Sequence, residues 1–363
     1  MVYIVLILAV AFFAYSNGAN DNFKGVATLY GSRQVSYKTA VAWATATTLM
    51  GSIASIFLAA ALVKNFSGKG LVPDVFVNDP SFAVSVAVGA AMTVFVATKI
   101  GMPISSTHAM VGALFGTGFI VSGGDVKFEL LLGVFLIPLI LSPVLSAFCS
   151  AVLIKAQSLL SSRDKNCICI TDSKIALESG PRNYFFDSKQ LTFANIQDCQ
   201  KNNLQNGVTF NSSKTIDSLH FLSSGTVCFA RGLNDTPKIV ALLILIPWLQ
   251  VYQGLLLIAI LMAVGGLLHS RKISRTMGDK ISLMSRQQGF ISNLITSFFV
   301  ISASLFGLPV STTHVSVGAI SGMGIANKSV DFKVLKHILL SWVLTLPCGA
   351  LISFLVYLFI SNL

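Results

Sequence analysis

A chain of 363 residues, 54% hydrophobic and only 11% charged, with a mean hydropathy of +0.77, is too apolar for a soluble globular protein. The net charge of +11, from 25 basic and 14 acidic residues, sits mostly in loops on one side; it records membrane orientation and is not read as affinity for nucleic acid. The composition is that of an integral membrane protein in contact with the lipid bilayer.

Crossing a ~30 Å hydrocarbon core takes ~20 residues. Apolar runs of that order cover 2–30, 36–63, 81–100, 103–122 and 126–155, then 223–247, 252–268, 288–306, 309–326 and 334–361. The apolar N-terminus has no basic leader and is expected to stay as a helix. Loops around Lys24 to Lys38, at Lys99, and at 155–165, 269–286 and 328–336 are basic, whereas those at 64–80, 123–129, 247–253 and 307 are neutral or acidic. The excess of basic residues on alternate loops puts the central loop in the cytoplasm and both termini outside a plasma (inner) membrane. An odd number of crossings on each side of that loop makes the two halves run in opposite directions. The expectation is an all-α polytopic membrane protein with about 10–12 segments in two inverted-topology repeats. The repeats are 1–155 and 223–363, and residues 156–222 form the loop between them.

Between 161 and 222 the chain turns polar and has no run long enough to cross a bilayer, so it is read as a linker with no assigned chemistry. Asn211-Ser212-Ser213 spells a glycosylation sequon, which has no meaning on the cytoplasmic side. Cys149, Cys167, Cys169, Cys199, Cys228 and Cys348 show no metal-ligand spacing and are expected to be free thiols.

Two polar motifs occur twice. Gly101-Met102-Pro103-Ile104-Ser105-Ser106-Thr107-His108-Ala109-Met110-Val111-Gly112 matches Gly307-Leu308-Pro309-Val310-Ser311-Thr312-Thr313-His314-Val315-Ser316-Val317-Gly318 at seven of twelve positions. Ser16 to Ala27 matches Ala230 to Ala241 at six of twelve, among them the Asn20/Asn234, Asp21/Asp235 and Lys24/Lys238 pairs. Chance similarity of apolar segments would not align polar residues in this way, so the fold is read as duplicated.

An ionised side chain at mid-membrane costs at least ~2.5–3.5 kcal/mol, so Asp21, Lys24, Asp235 and Lys238 must face protein or a polar cavity. The i, i+3 spacing puts each Asp on the same face as its Lys and permits a local ion pair. Pro103 and Pro309 suit the first turn of a helix, so the Ser-Thr-His motifs are expected to be broken or re-entrant helices whose free N–H groups and positive dipole ends attract an anion. Two such starts brought together near the midplane form the usual site of a secondary transporter for an oxyanion, and the Asp and Asn groups are available to coupling cations.

Gly18-Ala19-Asn20-Asp21, Gly232-Leu233-Asn234-Asp235, Pro103-Ile104-Ser105-Ser106-Thr107-His108 and Pro309-Val310-Ser311-Thr312-Thr313-His314 together resemble the inorganic phosphate transporter (PiT) family of cation-coupled permeases. The resemblance covers both repeats but not the central loop. It implies import of inorganic phosphate by a symporter coupled to H+ or Na+, no other cofactor, and assembly as a homodimer. Ser105, Ser106, Thr107, Ser311, Thr312 and Thr313 then look like the phosphate cradle, together with Asn20, Asn234, Lys24, Lys238 and Arg231. Asp21 and Asp235, with Asn17 beside them, look like the cation-coupling carboxylates and the candidate sodium ligands.

One departure is symmetrical: where the family commonly has a further Asn three residues past the Asp, this chain has Lys24 and Lys238. Two placements are open. The ammonium groups lie where sodium would otherwise sit, or they snorkel to an interface. Competing functions are a permease for sulfate or another tetrahedral oxyanion, a passive anion channel, and an intramembrane hydrolase. The chain has no Gly-x-Ser-x-Gly elbow, and catalysis would not need the same residues in both halves, so it is not read as an enzyme.

Overall fold

The computed structural model describes residues 1–161, 166–177, 184–195, 212–281 and 284–362. Ten principal helices carry the architecture. They are α1 (Val2–Asp21), α2 (Tyr37–Leu58), α3 (Pro80–Ile100), α4 (Ser106–Val121) and α5 (Ile137–Ser161), then α6 (Ser212–Val240), α7 (Val251–His269), α8 (Arg286–Leu305), α9 (Thr312–Ala326) and α10 (Phe332–Ser361).

Among the described residues, seven helical stretches are long and apolar enough to cross a membrane. They correspond to α1, α2, α3, α5, α7, α8 and α10. The other three expected segments fail that measure for physical reasons. Helices α4 and α9 have 16 and 15 residues, short of the ~20 that a bilayer core needs. Helix α6 has 29 residues but carries Arg231, Asp235 and Lys238 within its apolar part.

Expected loop 156–222 is not wholly irregular. Helix α5 runs on to Ser161, α6 begins at Ser212, and an antiparallel hairpin lies between them, β1 (Asn166–Leu177) on β2 (Tyr184–Asn195). Its register runs from Asn166 opposite Asn195 to Leu177 opposite Tyr184. Strands that mix apolar and polar residues without regular alternation leave only a weak signal in the sequence. Asn211 and Cys199 lie outside the described residues. Cys149, Cys228 and Cys348 carry free thiols.

The molecule is apolar outside and polar inside. Phe148, Phe298, Val343 and Phe359 are each about two-thirds exposed, whereas Asn17, Asp21, Lys24, Arg231, Asp235 and Lys238 are buried. This is the distribution that a hydrocarbon solvent selects, since polar groups facing lipid find no partners.

Each packing pair in one half has a counterpart in the other. Helix α1 packs on α7 as α6 packs on α2, α4 packs on α10 as α9 packs on α5, and α1 packs on α3 as α6 packs on α8. Glycines allow the closest approaches. A Cβ on Gly18 would lie 2.0 Å from the Met262 carbonyl oxygen, and one on Gly232 would lie 2.1 Å from that of Thr48. Such contacts between small residues and backbone replace the hydrophobic drive that lipid cannot supply. These crossings hold Asp21 and Asp235 in register across the centre.

Gly232→Ala is therefore expected to force α2 and α6 apart at a cost of about 1–3 kcal/mol. The readout is a lowered unfolding temperature of the detergent-purified protein. Gly133→Ala, where an added Cβ has nothing within 4 Å, should leave that temperature unchanged.

Candidate functional site

Helix α1 supplies Asn17, Asn20 and Asp21 from its last two turns, then breaks, and Lys24 opens a single 3-10 turn (Lys24–Val26). Helix α6 supplies Arg231, Asn234, Asp235 and Lys238, with Pro237 inside it. Pro237 has no N–H to give the Leu233 carbonyl, so the ladder of α6 lacks one bond around Asp235.

The Ser-Thr-His motifs break as expected, but at a different residue. Helix α3 closes at Gly101 in the left-handed region (φ 83°), and residues 102–104 are not helical. Ser105 is the N-cap of α4, its Oγ accepting the His108 N–H at 3.1 Å. In the other half Gly307 (φ 69°) follows α8, and Ser311 Oγ accepts the His314 N–H at 3.3 Å. The prolines thus lie two residues ahead of the capping serines rather than in the first helical turn. Proline holds its predecessor extended, and serine is the stronger cap. Ser105 and Ser311 therefore set the helix starts. The amides of Ser106, Thr107, Thr312 and Thr313 have no acceptor among the described residues.

The two halves meet through their lysines. Lys24 pairs with Asp21 and donates to the Ile104 carbonyl at 2.6 Å and to Thr313 Oγ1 at 2.6 Å. Lys238 lies 3.5 Å from Asp235 and donates to the Val310 carbonyl at 2.7 Å and to Thr107 Oγ1 at 2.9 Å. Each lysine thus reaches the threonine of the opposite half. At 1% and 3% exposed, neither reaches an interface, and the snorkelling placement is excluded.

Asn17 and Arg231, which hold equivalent positions in the two motifs, join at the centre. Arg231 is fully buried, and its Nη2 donates to Asn17 Oδ1 at 2.7 Å. Its Nη1 reaches Asn22 Oδ1 at 3.2 Å and Thr48 Oγ1 at 3.4 Å, and its Nε lies 3.6 Å from Asp235. The Asn17 amide donates to Ser106 Oγ at 2.8 Å, to Asp21 at 3.1 Å and to Asp235 at 3.4 Å. Ser106 Oγ in turn donates to Asp21 at 2.7 Å.

Asn20 and Asn234 brace the helix breaks. The Asn20 amide donates to Thr98 Oγ1 and to the Met102 carbonyl, both at 3.0 Å. The Asn234 amide reaches the Val310 carbonyl at 3.1 Å, Asp235 at 3.2 Å and Thr312 Oγ1 at 3.4 Å. Sequence reasoning missed Thr98 and Ser304, the latter bonded to Asn234 Oδ1 at 3.2 Å. A signal was present, since both stand three residues before the motif glycine. Asn22, Thr48 and the carbonyls of Ile104 and Val310 left none, because each acquires its role only by meeting the other half.

His108 and His314 lie off the charged cluster. Their rings meet edge to face at 4.3 Å, His314 stacks on Trp342 at 3.8 Å, and their Nδ1 atoms contact the carbonyls of Trp342 and Leu139. The centre holds three basic side chains, Lys24, Lys238 and Arg231, against two acidic ones, Asp21 and Asp235. With two helix N-termini directed at it, the cluster is suited to an anion.

Comparisons with known proteins agree with this geometry. The sequence profile described as "Phosphate transporter family" matches residues 17–353. A protein of Thermococcus kodakarensis named as a phosphate permease is 26% identical, with 94% of this chain and 93% of that protein covered. A Rhizobium meliloti protein named as a low-affinity inorganic phosphate transporter is 26% identical, covering 97% and 94%. A solved structure titled "The sodium-dependent phosphate transporter" superposes with a TM-score of 0.77 at 23% identity, covering 100% of this chain and 99% of that one. At that identity the likeness carries the fold alone, but the profile spans almost the whole chain: the protein belongs to the phosphate transporter family.

Proposed function

We propose that the protein is a secondary active transporter that imports inorganic phosphate together with a cation. The observation that carries this reading is the convergence of two serine-capped helix starts on one buried cluster with more basic than acidic side chains. The amides of Ser106 and Thr107, and of Thr312 and Thr313, donate to phosphate oxygens from opposite sides, and Arg231 adds positive charge. Ser105 and Ser311 hold those helix starts in place. Lys24 and Lys238 supply positive charge, while Asn17, Asn20 and Asn234 keep the broken segments aligned.

Phosphate is preferred to sulfate because hydrogen phosphate carries a proton that needs an acceptor, which Asp21 and Asp235 provide. Where the site has a buried acceptor, an anion that lacks the donor leaves it unpaired. Alternating access follows from two halves that run in opposite directions, with the central loop cytoplasmic and the termini outside. Basic loops at 155–165 and 269–286 support that orientation.

In proteoliposomes, labelled phosphate uptake should fall with excess arsenate and be unaffected by equal sulfate. Sulfate competition equal to arsenate would make the protein a general oxyanion permease, and flux that ignores every cation gradient would make it a channel. Thr107→Val removes a hydroxyl that contacts Lys238, at a cost of about 1–3 kcal/mol, and should slow uptake about tenfold or more. Asp21→Asn should abolish uptake, whereas Cys348→Ser, on the exposed face of α10, should match the unmodified protein.

A further inference from the structure

The two lysines sit in matching oxygen cages. Around the Lys24 ammonium stand a carboxylate oxygen of Asp21, the Ile104 carbonyl and the Thr313 hydroxyl. Around the Lys238 ammonium stand a carboxylate oxygen of Asp235, the Val310 carbonyl and the Thr107 hydroxyl. Within each cage the hydroxyl also donates to the carbonyl, at 3.0 Å for Thr313 on Ile104 and 3.3 Å for Thr107 on Val310. The cages therefore hold together through their own ligands as well as through the lysines.

Carboxylate, backbone carbonyl and hydroxyl oxygens are the hard donors that an alkali cation takes, and unwound carbonyls beside a half-helix are where transporters place coupling ions. Ile104 and Val310 are such carbonyls, since both precede a helix start. An ammonium has three N–H donors and no acceptor, so each cage offers one acceptor per donor. It is also a compact, strongly hydrated charge, closer to a metal ion in size than a guanidinium. The lysine stems are buried, so no solvent path competes for these donors.

We infer that Lys24 and Lys238 are tethered cations that fill the two cation positions of the site, so that the protein binds and moves its anion without sodium. The inference rests on the phosphate-transport reading for the identity of the anion, but not for the content of the cages. It makes the lysines the residues that decide ion specificity. It also separates the chain from the sodium-dependent transporter whose fold it shares. Replacing a lysine with a short neutral side chain leaves the carboxylate, carbonyl and hydroxyl facing a space that only a free cation can neutralise.

The test uses the purified full-length protein in two measurements. In the first, equilibrium binding of radioactive sodium is followed with no phosphate present. No saturable binding is expected up to about 100 mM, and saturable binding at about one or two ions per chain would overturn the inference. In the second, exchange of labelled phosphate across proteoliposomes is compared in sodium and in choline. The rates should agree within about twofold, and a loss of more than about tenfold in choline would also overturn it. Lys24→Asn with Lys238→Asn should acquire sodium binding and exchange that sodium stimulates about tenfold. Should that variant fail to fold, the sodium binding of the unmodified protein still decides. Should the unmodified protein bind no sodium yet exchange sulfate and not phosphate, the cages stand and the phosphate reading falls.

Discussion

Three basic and two acidic side chains buried at the centre of a protein that faces lipid impose the constraint on which the rest of the structure depends. None can be left unpaired in that setting, because an uncompensated charge in a dry interior costs several kcal/mol. Every one of the five side chains contacts a residue from another helix or from a broken segment. Lys24 needs Thr313, Lys238 needs Thr107, and Arg231 needs Asn17. The halves are thus held together by the same contacts that create the site, and a rearrangement that opens the centre must exchange these bonds for others.

The apolar framework exists to allow that meeting. Glycine contacts at the α1/α7 and α2/α6 crossings bring backbones close enough for short polar side chains to span the centre. Short helices α4 and α9 then place their capped starts at the cluster, and their first-turn amides point where a negative charge would be held. Broken backbone is tolerated at this depth because it is buried in protein and its carbonyls are satisfied by lysine and asparagine donors.

Much of this is legible in the sequence. The duplicated motifs point to residues that lie together in one cluster, and the charge of Asp21, Lys24, Asp235 and Lys238 requires the burial that all four have. The i, i+3 pairing of each Asp with its Lys is present as expected. Local sequence could not say which half each lysine would serve, since a contact such as Lys24 to Thr313 spans most of the chain. Nor could it show that Arg231 meets its own counterpart, Asn17, because equivalent positions in two repeats carry no information about contact. The helix starts belong to the serines rather than to the prolines two residues earlier, since both residue types mark helix starts and only the backbone path distinguishes them. The hairpin at Asn166–Asn195 escaped notice because its strands do not alternate strongly.

Both halves build one anion site rather than two. Equilibrium binding of labelled phosphate to the purified protein tests this most directly. Saturation is expected at about one phosphate per chain, lost alike when Ser106 or its counterpart Thr312 is replaced by alanine. Two independent phosphates per chain, with each substitution removing only one, would contradict it.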